Sequence, residues 1–216
     1  VVRPILPEFK GDINRYKSFW KQRYDHLQSK DITLLRAPSG GEHEGEEEIR
    51  EDEHYYHQVG SDVRRLAGSL VHAYLERHLL DESLQVAKLD KMLAEHTEMD
   101  ANPDIFRRAE KTLSGFYEGN WVDSSGISYR ERLEKAKVLA RELPVYLSYE
   151  DQLWNGVVDL VLEEGETIRA IDYKTVAKKD PLSEPYVRQQ RVYTEALRRV
   201  FPQREIDFEF WWLSRS

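Results

Sequence analysis

The sequence predicts an α/β chain, bordering on α+β, whose core order α-β-β-β-α-β makes a mixed sheet flanked by helices, with extra helices at the N-terminal end. Three observations carry this. Helical periodicity dominates as far as about Arg141. From Leu143 the texture changes to alternating and β-branched runs. One amphipathic helix, Ser183 to Val200, then separates these strands from a last aromatic one. An order of that kind puts helices against the faces of a sheet.

The elements follow in turn. Asp12 can cap a helix to about Gln28, with Tyr16, Phe19, Trp20, Tyr24 and Leu27 at helical spacing. A short apolar stretch, Ile32 to Leu35, follows, and Pro38-Ser39-Gly40-Gly41 opens an acidic linker ending near Tyr55. Ser61 starts a helix to about Leu80, striped by Val63, Leu66, Ala67, Leu70 and Tyr74. Helices are expected over Asp81 to Met99, Pro103 to Glu118 and Tyr129 to Arg141. Strands are expected over Leu143 to Tyr149, Leu153 to Leu162 and Thr167 to Thr175, the last two joined by a hairpin turn in Glu163-Glu164-Gly165-Glu166. Pro202 stops the helix that begins at Ser183, and Ile206 to Leu213 closes the sheet. The expected organisation is residues 1–59 as an N-terminal helix and acidic linker, and residues 60–216 as the main domain, together one structural unit.

Composition excludes several classes. A chain of 216 residues can bury a core without staples. Cysteine is absent, which removes disulfides, thiolate zinc sites, iron–sulfur clusters and cysteine nucleophiles. No apolar run approaches the roughly 18–20 residues of a membrane span, and no signal-peptide pattern opens the chain. The first residue is Val1, which suggests a fragment of something longer, and a cytoplasmic placement without membrane partners is expected. The net charge of −8 runs against the basic footprint of nucleic-acid binders. Eight acids and one base between Glu42 and Glu53 supply −7 of it, however, leaving −1 for the rest. The remainder carries basic clusters at Arg107, Arg108 and Lys111, from Arg130 to Arg141, and at Arg188, Arg191, Arg198 and Arg199. These can track phosphates or be ordinary solvated helix faces.

Asp159, Asp172 and Lys174 stand out on the strands. If the hairpin turns at Gly165-Glu166, Glu164 pairs with Thr167 and Asp159 faces Asp172. If it turns at Glu164-Gly165, the two acids become diagonal neighbours. Both registers keep them on one face, and Lys174, two residues past Asp172, points the same way. Carboxylates at close range repel, and burying them is costly unless a cation compensates. Mg²⁺ prefers such oxygen ligands together with phosphate oxygens and water, and a nearby lysine can position a water or stabilise charge on a phosphate, the equipment for phosphodiester hydrolysis. The other reading, a charge pair on a solvated sheet face, stays open. Upstream, Gly68 precedes His72 by one helical turn, off the apolar stripe. A helical glycine costs about 1 kcal/mol against alanine, and close approach of a strand or a nucleic-acid backbone would account for it, while a neutral imidazole can complete a metal shell. Downstream, Tyr186, Gln189 and Tyr193 share one helix face, a stripe in which a glutamine needs hydrogen-bond partners.

Gly68-x-x-x-His72, Gly156-Val157-Val158-Asp159, Ile171-Asp172-Tyr173-Lys174-Thr175 and Tyr186-x-x-Gln189-x-x-x-Tyr193, in that order, resemble the motif set of RecB-family PD-(D/E)xK nucleases. They look most like the C-terminal nuclease domain of AddA- or RecB-type (UvrD/Rep-like) helicase–nucleases. The resemblance spans about Gly60 to Leu213 and implies a restriction-endonuclease-like core. It implies His72, Asp159, Asp172 and the main-chain carbonyl of Tyr173 as metal ligands, with Mg²⁺ the cofactor and Mn²⁺ able to substitute. Lys174 would act on the attacking water or the scissile phosphate, making Lys174, Asp172 and Asp159 the catalytic set. Gln189 and Tyr193, with Gly68, would support the site and contact DNA. Glu142 resembles a family acid and receives no ligand role. Some relatives carry a four-cysteine iron–sulfur cluster, which this sequence cannot. The implied activity is an exo- or endonuclease cutting single-stranded DNA ends delivered by an attached helicase in double-strand-break repair and recombination. The rivals are a catalytically silent DNA-binding or scaffolding module of the same fold, and a helical protein whose sheet face is merely charged.

Overall fold

A computed structural model describes residues 35–36, 51–95, 102–149, 152–177 and 182–214, together with Ser18. These fall into two compact units. One holds the described residues of 1–42, 136–172 and 180–209, the other those of 43–135, 173–179 and 210–216. The expected helix from Asp12 to Gln28, apart from Ser18, and most of the acidic run lie outside the described residues.

The second unit is mostly helical: α1 (Glu51–His78), α2 (Val86–Glu95), α3 (Pro103–Tyr117) and α4 (Tyr129–Lys135). Helix α1 buries Ala67, Leu70, Val71, Tyr74 and Leu75, spacings of three and four that make one apolar stripe. Asn102 caps α3 by accepting from the Asp104 amide at 2.9 Å, with proline in the first turn, where its missing N–H costs nothing. Ile105, Ala109, Leu113 and Phe116 form its buried face. In the same unit Trp211 is fully buried, stacked on Tyr129 at 4.6 Å between ring centroids.

Three helix expectations are corrected. Helix α1 starts at Glu51 rather than Ser61, so the acidic linker does not run to Tyr55. Glutamate is a good helix former and the single interior glycine before Ser61, Gly60, costs about 1 kcal/mol, too little to stop a helix of 28 residues. The helix expected from Asp81 begins only at Val86. Asp81 closes a turn through its amide on the His78 carbonyl at 3.0 Å and binds Lys88 at 2.7 Å, while its own carbonyl accepts from Arg130 at 2.9 Å. Those bonds compete with a helical path. The helix expected to Arg141 ends at Lys135, because the chain from Lys137 pairs instead with a long strand. Tertiary pairing there outweighs local propensity.

The sheet comprises β1 (Leu35–Arg36), β2 (Lys137–Tyr149), β3 (Gln152–Glu164), β4 (Thr167–Lys174) and β5 (Glu205–Trp212), in the order β1-β3-β4-β5 with β2 also paired to β3. Strand β1 is parallel to β3, and β2 and β4 are antiparallel to it. Thr167 bonds Glu205 and Arg169 bonds Asp207, an advance in step that makes β5 parallel to β4. Helix α5 (Glu184–Val200) joins these two strands and buries Tyr186, Gln189, Val192, Tyr193 and Ala196. The α-β-β-β-α-β mixed α/β order is therefore the one the sequence predicts. Among the described residues no helix is long and apolar enough to cross a membrane.

The hairpin takes the first of its two possible registers: Glu164 pairs with Thr167, and the ladder continues to Leu160 with Ile171. Gly165 sits at φ +62° with open space where a Cβ would be. Gly165→Ala should therefore cost about 1–2 kcal/mol through backbone strain alone. Urea denaturation would show this as a lower midpoint at unchanged slope, and an unchanged midpoint would contradict the turn.

Candidate active site

The ladder places Asp159 opposite Asp172, one step beyond Leu160–Ile171. Along the β2–β3 ladder, the flanking pairs Arg141–Leu160 and Leu143–Val158 set Glu142 opposite Asp159. Glu142, Asp159 and Asp172 thus form one rung across three strands. Glu142 adopts φ +47°, rare for a residue with a side chain and hence a local strain. The carboxylate oxygens of Glu142 and Asp159 come within 4.8 Å of each other.

Among the described residues the buried polar or charged side chains are Asp159, Asp172 and Gln189. The Gln189 amide donates to Asp172 Oδ1 at 2.5 Å, the partner its place in an apolar stripe demands. Tyr193 completes the set. Burial pushes its phenol well above the usual range, and the charges of Asp172 and Asp159 add to this against opposing hydrogen bonds from Gln189 and Val157. The hydroxyl stays neutral beside the acids. Gly156 explains how the ring fits, since a Cβ there would lie 2.6 Å from the Tyr193 hydroxyl. The Gly-Val-Val-Asp motif thus leaves room for the last residue of the Tyr-Gln-Tyr motif.

In the helical unit, Gly68 serves a similar purpose: a Cβ would lie 2.8 Å from Thr175 Oγ1, so the close approach is to the residue following β4. His72, half-buried one turn on, meets the Tyr173 ring edge-on at 5.6 Å. Tyr173 is buried, and its main-chain carbonyl belongs to the peptide between it and Lys174 at the end of β4. Lys174 leaves β4 on the side of Asp172 by strand alternation. Its ammonium lies 5.4 Å from the Phe210 ring centroid, and its carbonyl accepts from the Leu213 amide at 2.7 Å.

Glu142 is the residue to which the sequence assigned no role and which the rung brings to Asp159. The Arg-Glu-Leu-Pro context reads as the start of the first strand and resembles a family acid there, but a positive φ at a glutamate leaves no trace in sequence. Several basic clusters prove structural. Arg130 binds the Leu79 and Asp81 carbonyls, Arg132 pairs with Asp123, Arg188 lies over Trp154, and Arg199 reaches the Ser148 carbonyl.

Two buried acids and a third half-buried one, all oxygen donors, suit a hard divalent cation, which prefers oxygen ligands and offsets their repulsion. A family model described as the PD-(D/E)XK nuclease superfamily matches residues 45–213, and the chain belongs to that superfamily. Its members are metal-dependent nucleases. No curated protein matches the chain.

The Gly156–Tyr193 fit makes a double-mutant cycle informative. Gly156→Ala should cost about 1–3 kcal/mol by overpacking, and less when the hydroxyl is removed in Gly156→Ala/Tyr193→Phe. Urea unfolding of the four variants should give a coupling of about 0.5 kcal/mol or more. Additive effects would mean the two do not meet.

Proposed function

We propose that the chain is a Mg²⁺-dependent deoxyribonuclease, with Mn²⁺ able to substitute, that hydrolyses phosphodiester bonds of single-stranded DNA ends. The observation that carries the reading is the rung of Glu142, Asp159 and Asp172, whose middle acid is buried beside two others in strands that otherwise bury apolar side chains. A sheet face that was merely charged would present these acids to solvent.

In this reading Asp159 and Asp172 hold the cation, and Glu142 adds an oxygen at Asp159. His72 and the Tyr173 carbonyl join them on the strength of the sequence motifs. When bound, the cation supplies positive charge against the phosphoryl oxygens and acidifies water. Lys174 presents its ammonium, on the Asp172 side of β4, to the attacking water or the scissile phosphate and offsets charge growing there. Gln189 orients Asp172 through its 2.5 Å hydrogen bond to Oδ1. Tyr193, kept neutral by burial, adds a hydroxyl without adding charge, and Gly68 lets Thr175 lie close to α1.

The order and spacing of the four motifs, and the absence of cysteine, favour the cluster-free RecB/AddA branch within the superfamily. By that analogy the chain is the nuclease module of a UvrD/Rep-like helicase–nuclease, cytoplasmic, acting in double-strand-break repair and recombination, with residues 1–59 leading into the nuclease domain at 60–216.

Labelled single-stranded DNA with Mg²⁺ or Mn²⁺ tests this. Wild type should cut, and Asp172→Ala and Lys174→Ala should each lower the rate by about 100-fold or more. Cutting at the wild-type rate by both variants would end the mechanism. Binding without cutting by wild type would favour the silent DNA-binding module.

A further inference from the structure

The helical unit contains a cavity of about 640 Å³ that the catalytic reading does not use. One wall is α1, which contributes Arg64, Ala67, Gly68 and Val71. The facing wall is α3, which contributes Arg108, Lys111, Thr112 and Gly115. Each set follows helical spacing, so each helix turns one continuous face to the space. Thr175 and the two residues after it also line the cavity, which therefore begins one residue beyond Lys174 in the chain.

The lining is cationic in an acidic chain. Of the charged residues lining it, Arg64, Arg108 and Lys111 are cationic and Glu118 is acidic, whereas the chain as a whole carries −8. Among the described residues neither Arg108 nor Lys111 forms an ion pair, while their neighbour Arg107 is paired with Asp104 at 3.4 Å. Arg108 and Lys111 are three positions apart on α3, about 5–6 Å at Cβ, a spacing that serves successive phosphates. Trp121 adds a half-buried aromatic surface to the same cavity. It is held rigid by an indole hydrogen bond to the Thr112 carbonyl at 2.9 Å and by Gly115, where a Cβ would lie 2.7 Å from the ring. Cations tracking a backbone beside a fixed aromatic face are the chemistry of single-strand binding. A duplex, whose major groove alone is about 12 Å wide, is too bulky to enter a recess of this volume.

We infer that this cleft between α1 and α3 is a binding site for single-stranded DNA, with Arg64, Arg108 and Lys111 on phosphates and Trp121 against a base or sugar. It holds a stretch of strand on the Thr175 side of Lys174. The identity of the ligand as DNA rests on the nuclease reading, and the cleft deepens that reading by giving the strand a path.

The test is fluorescence anisotropy of a labelled oligothymidylate with the 216-residue chain in EDTA, so that binding is read without cleavage. Arg108→Ala/Lys111→Ala should weaken binding by about 10-fold to 100-fold at low salt, and the slope of log K against log salt should shrink by about 1.4, at about 0.7 for each single-strand phosphate no longer neutralised. Arg108→Glu/Lys111→Glu should weaken it further, and Arg107→Ala should bind like wild type. Thermal unfolding confirms that each variant is folded, since all three positions are exposed. Wild-type affinity and slope in the double variants overturn the inference, as does a weakening confined to a duplex probe. Should Asp172→Ala cut like wild type while the double variant loses affinity, the catalytic reading fails and the cleft stands. If Asp172→Ala is inactive and the double variant binds normally, the cleft alone fails.

Discussion

The register of one hairpin is the constraint on which the site depends. With Gly165 in the positive-φ region and Glu164 paired with Thr167, the ladder must bring Asp159 opposite Asp172. A one-residue slip would turn one acid to the other face of the sheet and take every buried neighbour on that strand with it. The apolar positions of β3 and β4, among them Leu160, Val161, Ile168 and Ile171, are fully buried and enforce the register along both strands. The acids are thus held where they repel each other by the packing energy of the strands around them.

Accommodating charge in such a place takes polar and steric support, and the motifs supply it to one another. Gln189 reaches from α5 to Asp172. Tyr193, one turn further, packs into the space that Gly156 leaves on β3, three residues before Asp159. Gly68 leaves space for Thr175, which ends the segment carrying Asp172 and Lys174. Residues that look like independent signatures in the sequence are therefore partners in contact, and a change in one alters the room or the hydrogen bond available to another. Conformational specificity at the site follows from this mutual fit more than from any single strong bond.

Most of this was legible from residue patterns. The helix from Ser183, the last strand and the hairpin that carries both acids are readable because period and turn chemistry are local. The acids' facing arrangement was one of two registers that alternation allowed, and only the ladder chose between them. What the sequence hid was non-local or strained. The segment from Lys137 to Arg141 reads as helix from its Lys and Arg content, yet it is drawn into a ladder by the length of β3. Glu142, at the expected start of the first strand, receives no ligand role from its resemblance to a family acid, and nothing in the residue type announces a φ of +47°. The start of α1 at Glu51 was hidden for a different reason: a run of acids satisfies a mobile linker and a helix equally well. The basic residues divided similarly. Arg130 and Arg132 proved to be structural ties, and Arg108 and Lys111 line a cleft, a difference set by what faces each helix and not by charge.

Calorimetric titration with Mn²⁺ asks whether the acid rung holds a cation without asking for catalysis. Wild type should bind saturably, and binding should disappear in Asp159→Asn, a change that keeps the side chain's shape and removes its charge, with the variant still folded by circular dichroism. Equal Mn²⁺ binding by wild type and Asp159→Asn, or no binding by either, would contradict a cation held by the rung.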